Sequence, residues 1–404
     1  MAKTETAVSR SRKSGEKWDT LRQGEDVWHQ RLRQLEGQQD AMVGMIREFA
    51  EIESPSDDKA ACDRMSEFLA QKFAVLEGKV RVHPAKKYGD NLQIDFPGQA
   101  KTRPVLLLGH FDTVYPIGTL ATMPCHVADG RLYGPGVLDM KSGIAMMIFA
   151  IEALRAWHSE LPRPVTVFLV SDEEVGSYSS RAITMALAKQ SAGVLVLEPA
   201  AGRGAVKTAR KGVGEYRLHV SGIASHAGLD PGKGHSAIVE LARQIPAIWK
   251  MNDVRQGVSA NPGIVRGGTR TNVVAAEATV EIDVRIKKAQ QAKGLDRKFR
   301  SLKPFDKYCK LKIEGGINRM PMERTPGVVA LYKKARAVAA HIDWKLEEAA
   351  VGGGSDGNFT AGIGVPTLDG LGGDGEGAHA RHEHIRISEL PKRTLLLAGM
   401  IESV

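Results

Sequence analysis

Side chains that bind metal ions or carry protons stand in chain order at His110, Asp139, the pair Glu173-Glu174, Glu198 and His379. Most of them fall where a short apolar run stops. Val105-Leu106-Leu107-Leu108 leads into Gly109-His110-Phe111-Asp112, Val165 to Val170 leads into Ser171-Asp172-Glu173-Glu174, and Val194 to Leu197 leads into Glu198-Pro199. Such runs, β-branched and bounded by Gly, Pro and charge, read as buried strands. In an open α/β sheet, ligands bind in the crevice beyond the carboxyl ends of the strands. Strands that end in His or carboxylate therefore predict one pocket lined by nitrogen and oxygen ligands, the equipment of a metal enzyme.

The elements that must carry this pocket alternate along the chain. Met42, Val43, Met45, Ile46, Phe49 and Ala50 recur at helical spacing up to the breaker cluster Ser54-Pro55-Ser56, and a second helix is predicted over Ala60 to Phe73. A helix rich in Ala, Ile and Met is predicted over Lys141 to Leu154, with Asp139 just ahead of it. After Glu198 the texture changes. Ala278, Val280, Ile282, Val284 and Ile286 alternate with polar residues, the pattern of a half-buried antiparallel strand, and 215–220 alternates more weakly. A helix is predicted over His235 to Met251, another over Pro326 to Ala340, and a last one from Ser388, with a capping residue ahead of Leu395-Leu396-Leu397. The expectation is an α/β fold: a catalytic domain with a mostly parallel sheet and helices on both faces (31–206 and 321–404), interrupted by a smaller α+β domain over 207–320. Residues 1–30, polar and basic, are expected to be a frayed or loosely helical extension.

At 404 residues the chain is longer than one core usually grows. Hydrophobic content of 42% and charged content of 25% suit a globular protein, and no apolar run is long enough to span a membrane. The start, Met1 to Thr6, lacks the apolar stretch of a secretory signal, so the expected location is the cytoplasm. Three cysteines without CxxC spacing fit a reducing compartment. Cys125 beside His126 shows no activating arrangement. A net charge of +9 raises the question of nucleic acid, but no zinc-finger, stacking or recognition-helix pattern accompanies it. The expectation is no nucleic-acid and no membrane partner, with solvated surface or attraction of anionic substrates as the uses of the charge.

Taken together, the motifs resemble the dizinc exopeptidase and amidohydrolase family that includes glutamate carboxypeptidase, aminoacylase and succinyl-diaminopimelate desuccinylase. They are Gly109-His110-Phe111-Asp112-Thr113-Val114, Gly134 to Gly143, Asp172-Glu173-Glu174-Val175-Gly176-Ser177, Glu198-Pro199, Ser225-His226-Ala227-Gly228, Gly352-Gly353-Gly354-Ser355-Asp356 and Gly377-Ala378-His379-Ala380. The Glu-Glu-x-Gly-Ser turn and the Gly-Gly-Gly-Ser-Asp loop lie nearest to the glutamate carboxypeptidase branch, and the likeness runs from about Asp40 to the end of the chain.

The resemblance implies two zinc ions per chain, with cobalt or manganese as alternatives. It makes His110, Asp139, Glu174, Glu198 and His379 the metal ligands, with Asp139 shared between the ions. It makes Asp112 the residue that orients His110, Glu173 the general base and acid, and His226 a holder of the oxyanion that reaches a partner subunit's site. Asp139 taken alone also reads as a helix cap, and His382 and His384 compete with His379 for its place. Arg285, Asn272, Arg319, Gly354 and Ser355 are candidate substrate contacts, although Arg285 also fits an exposed position on an alternating strand. Gly352-Gly353-Gly354 lacks the Gly-Lys-Ser/Thr ending of a phosphate loop. The implied activity is hydrolysis of an amide or peptide bond that releases a C-terminal amino acid, glutamate on the nearest branch. The alternative is deacylation of N-acetyl or N-succinyl amino acids at the same site. The implied substrate is a small peptide or N-acyl amino acid, the implied assembly a homodimer, and the inserted domain its lid and dimerisation surface.

Overall fold

The structure is a computed structural model and describes residues 27–404. Most of the expected N-terminal extension, 1–26, lies outside the described residues. Its last four positions do not fray: they open a helix over 27–36, where the Trp28 ring stacks on His341 with centroids 4.9 Å apart. The described residues divide into two compact units, one of 27–208, 325–349 and 365–404, the other of 209–324 and 350–364. The second unit thus comprises a continuous stretch close to the expected 207–320 together with the segment that carries the glycine-rich loop.

The first unit is built on a six-stranded sheet in the order Lys79–His83, Asn91–Phe96, Val165–Val170, Val105–His110, Gly193–Val196, Thr367–Leu368. The last four run parallel to one another, while Asn91–Phe96 pairs antiparallel with both Lys79–His83 and Val165–Val170. Every residue of Val105–His110 and Val165–Val170 is buried, as expected for strands covered on both faces. Helices Gln39–Glu51, Lys59–Val75, Ser142–Trp157, Pro326–Ala340 and Leu390–Ser403 supply the cover through Phe49, Leu69, Ile148, Leu331 and Leu397. Ser142–Trp157 is buried over most of its length, which is why its sequence is apolar all round.

The second unit holds a four-stranded antiparallel sheet, in the order Ser259–Gly267, Glu277–Ile286, Gly212–Ser221, Lys310–Arg319. Its own core gathers Tyr216, Leu218, Val220, Val280, Ile282 and Val284 with residues of helices Ala237–Trp249 and Gln290–Arg300. The alternation read over 278–286 appears as alternating burial.

Two local expectations are corrected. The last helix begins at Leu390 after a single 3-10 turn over Ile387–Glu389, and no side chain caps it. Proline at position 391 sits in its first turn, where its missing N–H removes a donor that would have no partner anyway. Asp139 does not cap the helix that follows. It lies in an irregular turn, with φ −113° and ψ 92°, while Lys141 occupies the cap position, its side chain donating to the Ile52 carbonyl at 2.8 Å rather than capping the helix.

Candidate metal centre

His110 ends a buried central strand, so its ring enters the site from a fixed base. Nδ1 lies 3.0 Å from the main-chain oxygen of Asp112 and 3.5 Å from its Oδ1, leaving Nε2 to face outward. Nε2 sits 3.2 Å from Asp139 Oδ1 and 3.5 Å from Glu198 Oε1. On the other side, His379 Nε2 is 3.4 Å from Asp139 Oδ2 and 3.1 Å from Glu174 Oε1. The two oxygens of Asp139 therefore address different histidines, each accompanied by a further glutamate. Ligand atoms of His110, Glu173 and Glu198 lie within 4.8 Å of one another, as do those of His110, Asp139 and Glu174. The adjacent Glu173 and Glu174 thus both turn into the site.

Asp112 explains how they do so. It is fully buried, its Oδ1 accepts the main-chain N–H of Glu173 and its Oδ2 that of Glu174, each at 3.2 Å, and Ser56 Oγ donates to Oδ2 at 2.6 Å. One carboxylate thereby fixes the turn that carries the glutamates as well as the ring of His110. Asp172 tightens the same turn, accepting from Ser179 and from the Ser180 hydroxyl at 2.6 Å. The turn closes through Ser177, whose N–H reaches the Asp172 carbonyl at 2.7 Å.

The electrostatics follow from this crowding. Burial works against a charged His110 ring, yet the carboxylates of Asp112, Asp139 and Glu198 hold its pKa well above the usual histidine range. Hydrogen bonds to Asp139 and Glu174 push His379 up to about 10. Burial pushes Glu174 up, with His379 opposing it. Carboxylates packed around two imidazoles in a mostly buried cleft form an anionic nest whose oxygen and nitrogen donors fit divalent cations such as zinc. The division of Asp139's oxygens fits two of them.

His379 is held in a left-handed backbone conformation with φ +62°, uncommon for a side chain larger than glycine. Its rivals lie elsewhere. His384 is buried against the Tyr133 ring with centroids 5.0 Å apart, and His382 contributes its main-chain oxygen to His384 Nδ1.

The sequence alone gives Glu383 no role, although it stands four residues after His379. Its buried carboxylate accepts the N–H groups of Leu138 at 2.8 Å, Asp139 at 3.0 Å and Gly136 at 3.2 Å, and the Tyr115 hydroxyl at 2.6 Å. Gly136 serves this cradle with φ +73°, where a Cβ would be strained. Burial raises the Glu383 pKa to about 7 despite these donors. A glutamate four positions after a histidine is too common a spacing to signal such a cradle, and Tyr115 carried no signal at all.

The remaining candidates lie in the second unit. His226 is exposed, and its Nδ1 accepts the N–H groups of Gly228 and Leu229 at 3.1 Å. That arrangement places the proton of a neutral ring on Nε2 and makes it a donor. Asn272 is brought beside it, its carbonyl accepting the Ala227 N–H at 2.9 Å. Arg285 closes in a fork on Asp283 at 2.9 and 2.8 Å. Arg319 is buried, 3.2 Å from Asp356, with its guanidinium over the Phe359 ring. Gly354 offers its carbonyl to Arg210 at 3.1 Å, and the buried Ser355 hydroxyl accepts the Gly357 N–H at 3.1 Å.

Comparison with known proteins agrees with this geometry. Carboxypeptidase G2 of Pseudomonas sp. (strain RS-16) is 28% identical over 376 residues, covering 90% of this chain and 89% of that protein. Succinyl-diaminopimelate desuccinylase of Acidovorax ebreus is 27% identical over 311 residues, covering 72% of this chain and 78% of that one. Among solved structures, aminopeptidase PepT of Bacillus cereus superposes with a TM-score of 0.73 at 23% identity, covering 90% of this chain and 98% of its own. An M20 family metallo-carboxypeptidase of Sulfolobus solfataricus gives 0.70 at 16%, covering 89% and 98%, and both likenesses bear on the fold. Residues 106–403 match peptidase family M20/M25/M40. The chain belongs to that family and is a metal-dependent hydrolase.

Proposed function

We propose that this protein is a dizinc carboxypeptidase that hydrolyses the amide joining an acyl group or peptide to a C-terminal amino acid, with glutamate as the first candidate. The observation that carries the reading is the division of Asp139, one oxygen toward His110 and Glu198, the other toward His379 and Glu174. His110, Glu198 and Asp139 would hold one ion, and His379, Glu174 and Asp139 the other. Bound there, zinc, or cobalt or manganese in its place, supplies Lewis acidity and acidifies water.

The chain's own residues do the rest. Asp112 orients His110 and sets the turn of the glutamate pair. Glu173 takes a proton from the attacking water and returns it to the leaving amine nitrogen, help worth roughly a hundredfold to ten-thousandfold. Nε2–H of the partner subunit's His226 donates to the oxyanion, a role supported by the tautomer that Gly228 and Leu229 impose. Asn272, Arg285, Arg319, Gly354 and Ser355 serve the substrate side. The Arg285 and Arg319 forks open from Asp283 and Asp356 to take a carboxylate.

The assembly proposed is a homodimer through the second unit. Exposed Ile264 and Val265 on the edge strand, with Ile238, Val239 and Trp249 on the helix beside it, support that surface. No described helix is long and apolar enough to cross a membrane. The proposed location remains the cytoplasm, with small-molecule substrates and no nucleic-acid partner.

The similarity to a desuccinylase favours one second reading, removal of an acyl group from an N-acyl amino acid. The test is incubation of zinc-loaded enzyme with folyl-glutamates, dipeptides and N-acyl amino acids, with products followed by mass spectrometry. Release of one free C-terminal amino acid is expected. Release of acetate or succinate would establish the second reading, and no product with metal confirmed in place would remove both.

A further inference from the structure

The second unit contains an open cavity of about 470 Å³ that the hydrolytic reading does not use. Its wall gathers Arg210, Lys211, Arg255, Lys287, Lys288 and Arg324 against a single carboxylate, Glu323. Glu323 is already engaged, its Oε1 accepting the main-chain N–H of Ala289 at 2.9 Å. Among the described residues, Lys211, Arg255, Lys287 and Lys288 make no ion pair with any acid. In the same unit Arg217, Arg266, Arg285 and Arg300 each close on a carboxylate between 2.8 and 3.2 Å, whereas Lys250, Lys293 and Lys298 also pair with no acid among the described residues, so what sets the cavity's cations apart is their gathering around one concavity.

Like charges gathered around one concavity repel one another, and a cleft lined by one sign concentrates the opposite ion. A solvated basic patch would not require a cavity beneath it. Here the lining also includes Val254, Met322 and Val351, so the site offers apolar surface as well as charge. Its volume lies in the range of small-molecule sites. Lys287 and Lys288 leave the end of strand Glu277–Ile286, and Arg324 follows strand Lys310–Arg319, so sheet ends rather than a free loop supply part of the charge.

We propose that this cavity of the second unit, whose lining includes no metal ligand, binds a small organic polyanion with two or more carboxylate or phosphate groups on an apolar body. The metal ligands all belong to the first unit, whereas every wall residue of the cavity belongs to the second.

The test uses metal-loaded enzyme and benzene-1,3,5-tricarboxylate, whose carboxylates are too far apart to chelate one ion. Benzoate provides the same ring with one charge, and phenylene bisphosphate replaces carboxylate with phosphate. Binding is measured by calorimetry at fixed ionic strength, and its position by hydrogen exchange over 254–257 and 286–288. Saturable binding of the tricarboxylate or the bisphosphate is expected, at least tenfold tighter than benzoate, with protection of those segments. The tighter of the two names the preferred anionic group. The Lys287→Glu/Lys288→Glu variant, exposed at both positions, should weaken it at least tenfold and leave benzoate unchanged. Equal affinity for benzoate, unchanged affinity in the variant, or protection confined to the metal centre would overturn the proposal.

Discussion

The Glu383 carboxylate accepts the main-chain N–H of Asp139 at 3.0 Å, so the loop that presents His379 also grips the turn that presents Asp139. The two sides of the metal centre are thereby built as one piece. Removing this carboxylate leaves the N–H groups of Gly136, Leu138 and Asp139 buried without an acceptor, and the Tyr115 hydroxyl with the Ala380 carbonyl at 3.1 Å. Each lost partner costs about 1–3 kcal/mol when water cannot replace it. Glu383→Ala should therefore lower unfolding free energy by about 3–5 kcal/mol and reduce metal content together with it. Denaturant unfolding of metal-free protein checks the first effect, and a loss below about 1 kcal/mol would show that the cradle is dispensable.

Asp139 places its oxygens toward His110 and His379 at 3.2 and 3.4 Å. If that carboxylate is shared between two ions, Asp139→Ala should lower the metal content from two ions per chain to one or fewer. Chelation of the wild type should have a second consequence. Anything that binds the native state alone stabilises it, by about 4 kcal/mol at a thousandfold excess over Kd. Metal removal should therefore lower the midpoint of thermal unfolding by several degrees, and in Asp139→Ala by much less. Two ions retained in the variant would end the shared-carboxylate reading.

Glu173 turns into the site beside His110 and Glu198. Its proposed work is proton transfer, which folding and ion binding do not need. Glu173→Ala should keep its unfolding midpoint and its metal and lose turnover by roughly a hundredfold to ten-thousandfold. Stopped assays of metal-replete variant read this directly. Near-normal turnover would take Glu173 out of the chemistry.

How far the sequence could be read depended on whether a residue's partners were near it in the pattern. Val165–Val170 was legible because an apolar run ending in charge has few other meanings. His110, Asp139, Glu174, Glu198 and His379 were nameable from ordered motifs, and the fold brings them together. The segment that carries the glycine-rich loop, 350–364, reads from the sequence as part of the first domain because a chain cannot announce that it crosses back into another core. Glu383 and Ser56 went unassigned because their work consists of hydrogen bonds to main-chain groups and to Asp112, which side-chain types do not encode. The capping role offered for Asp139 failed for a related reason. The residue sits in an irregular turn held by Glu383, more than two hundred positions away in sequence.

The cysteines supply a prediction that also bears on Cys125 and its neighbour His126. All three, Cys62, Cys125 and Cys309, are buried and unpaired with one another. Burial pushes the Cys125 thiol up to about 11, raises Cys62 further, and raises Cys309 as well. Only the thiolate is nucleophilic, and a thiol three pH units below its pKa is roughly 0.1% thiolate. The His126 ring does not face the thiol: its Nδ1 lies 3.0 Å from the Pro124 carbonyl and its ring stacks on Tyr133. Native protein at pH 8 should therefore react with a disulfide reagent only over the time of unfolding, and denatured protein should release three thiols at once. Since the native thiolate fraction grows as pH climbs toward 11, any residual native labelling should quicken with pH. Fast labelling of Cys125 alone at pH 8, located by mass spectrometry, would contradict the burial argument and return that thiol to the list of chemical candidates.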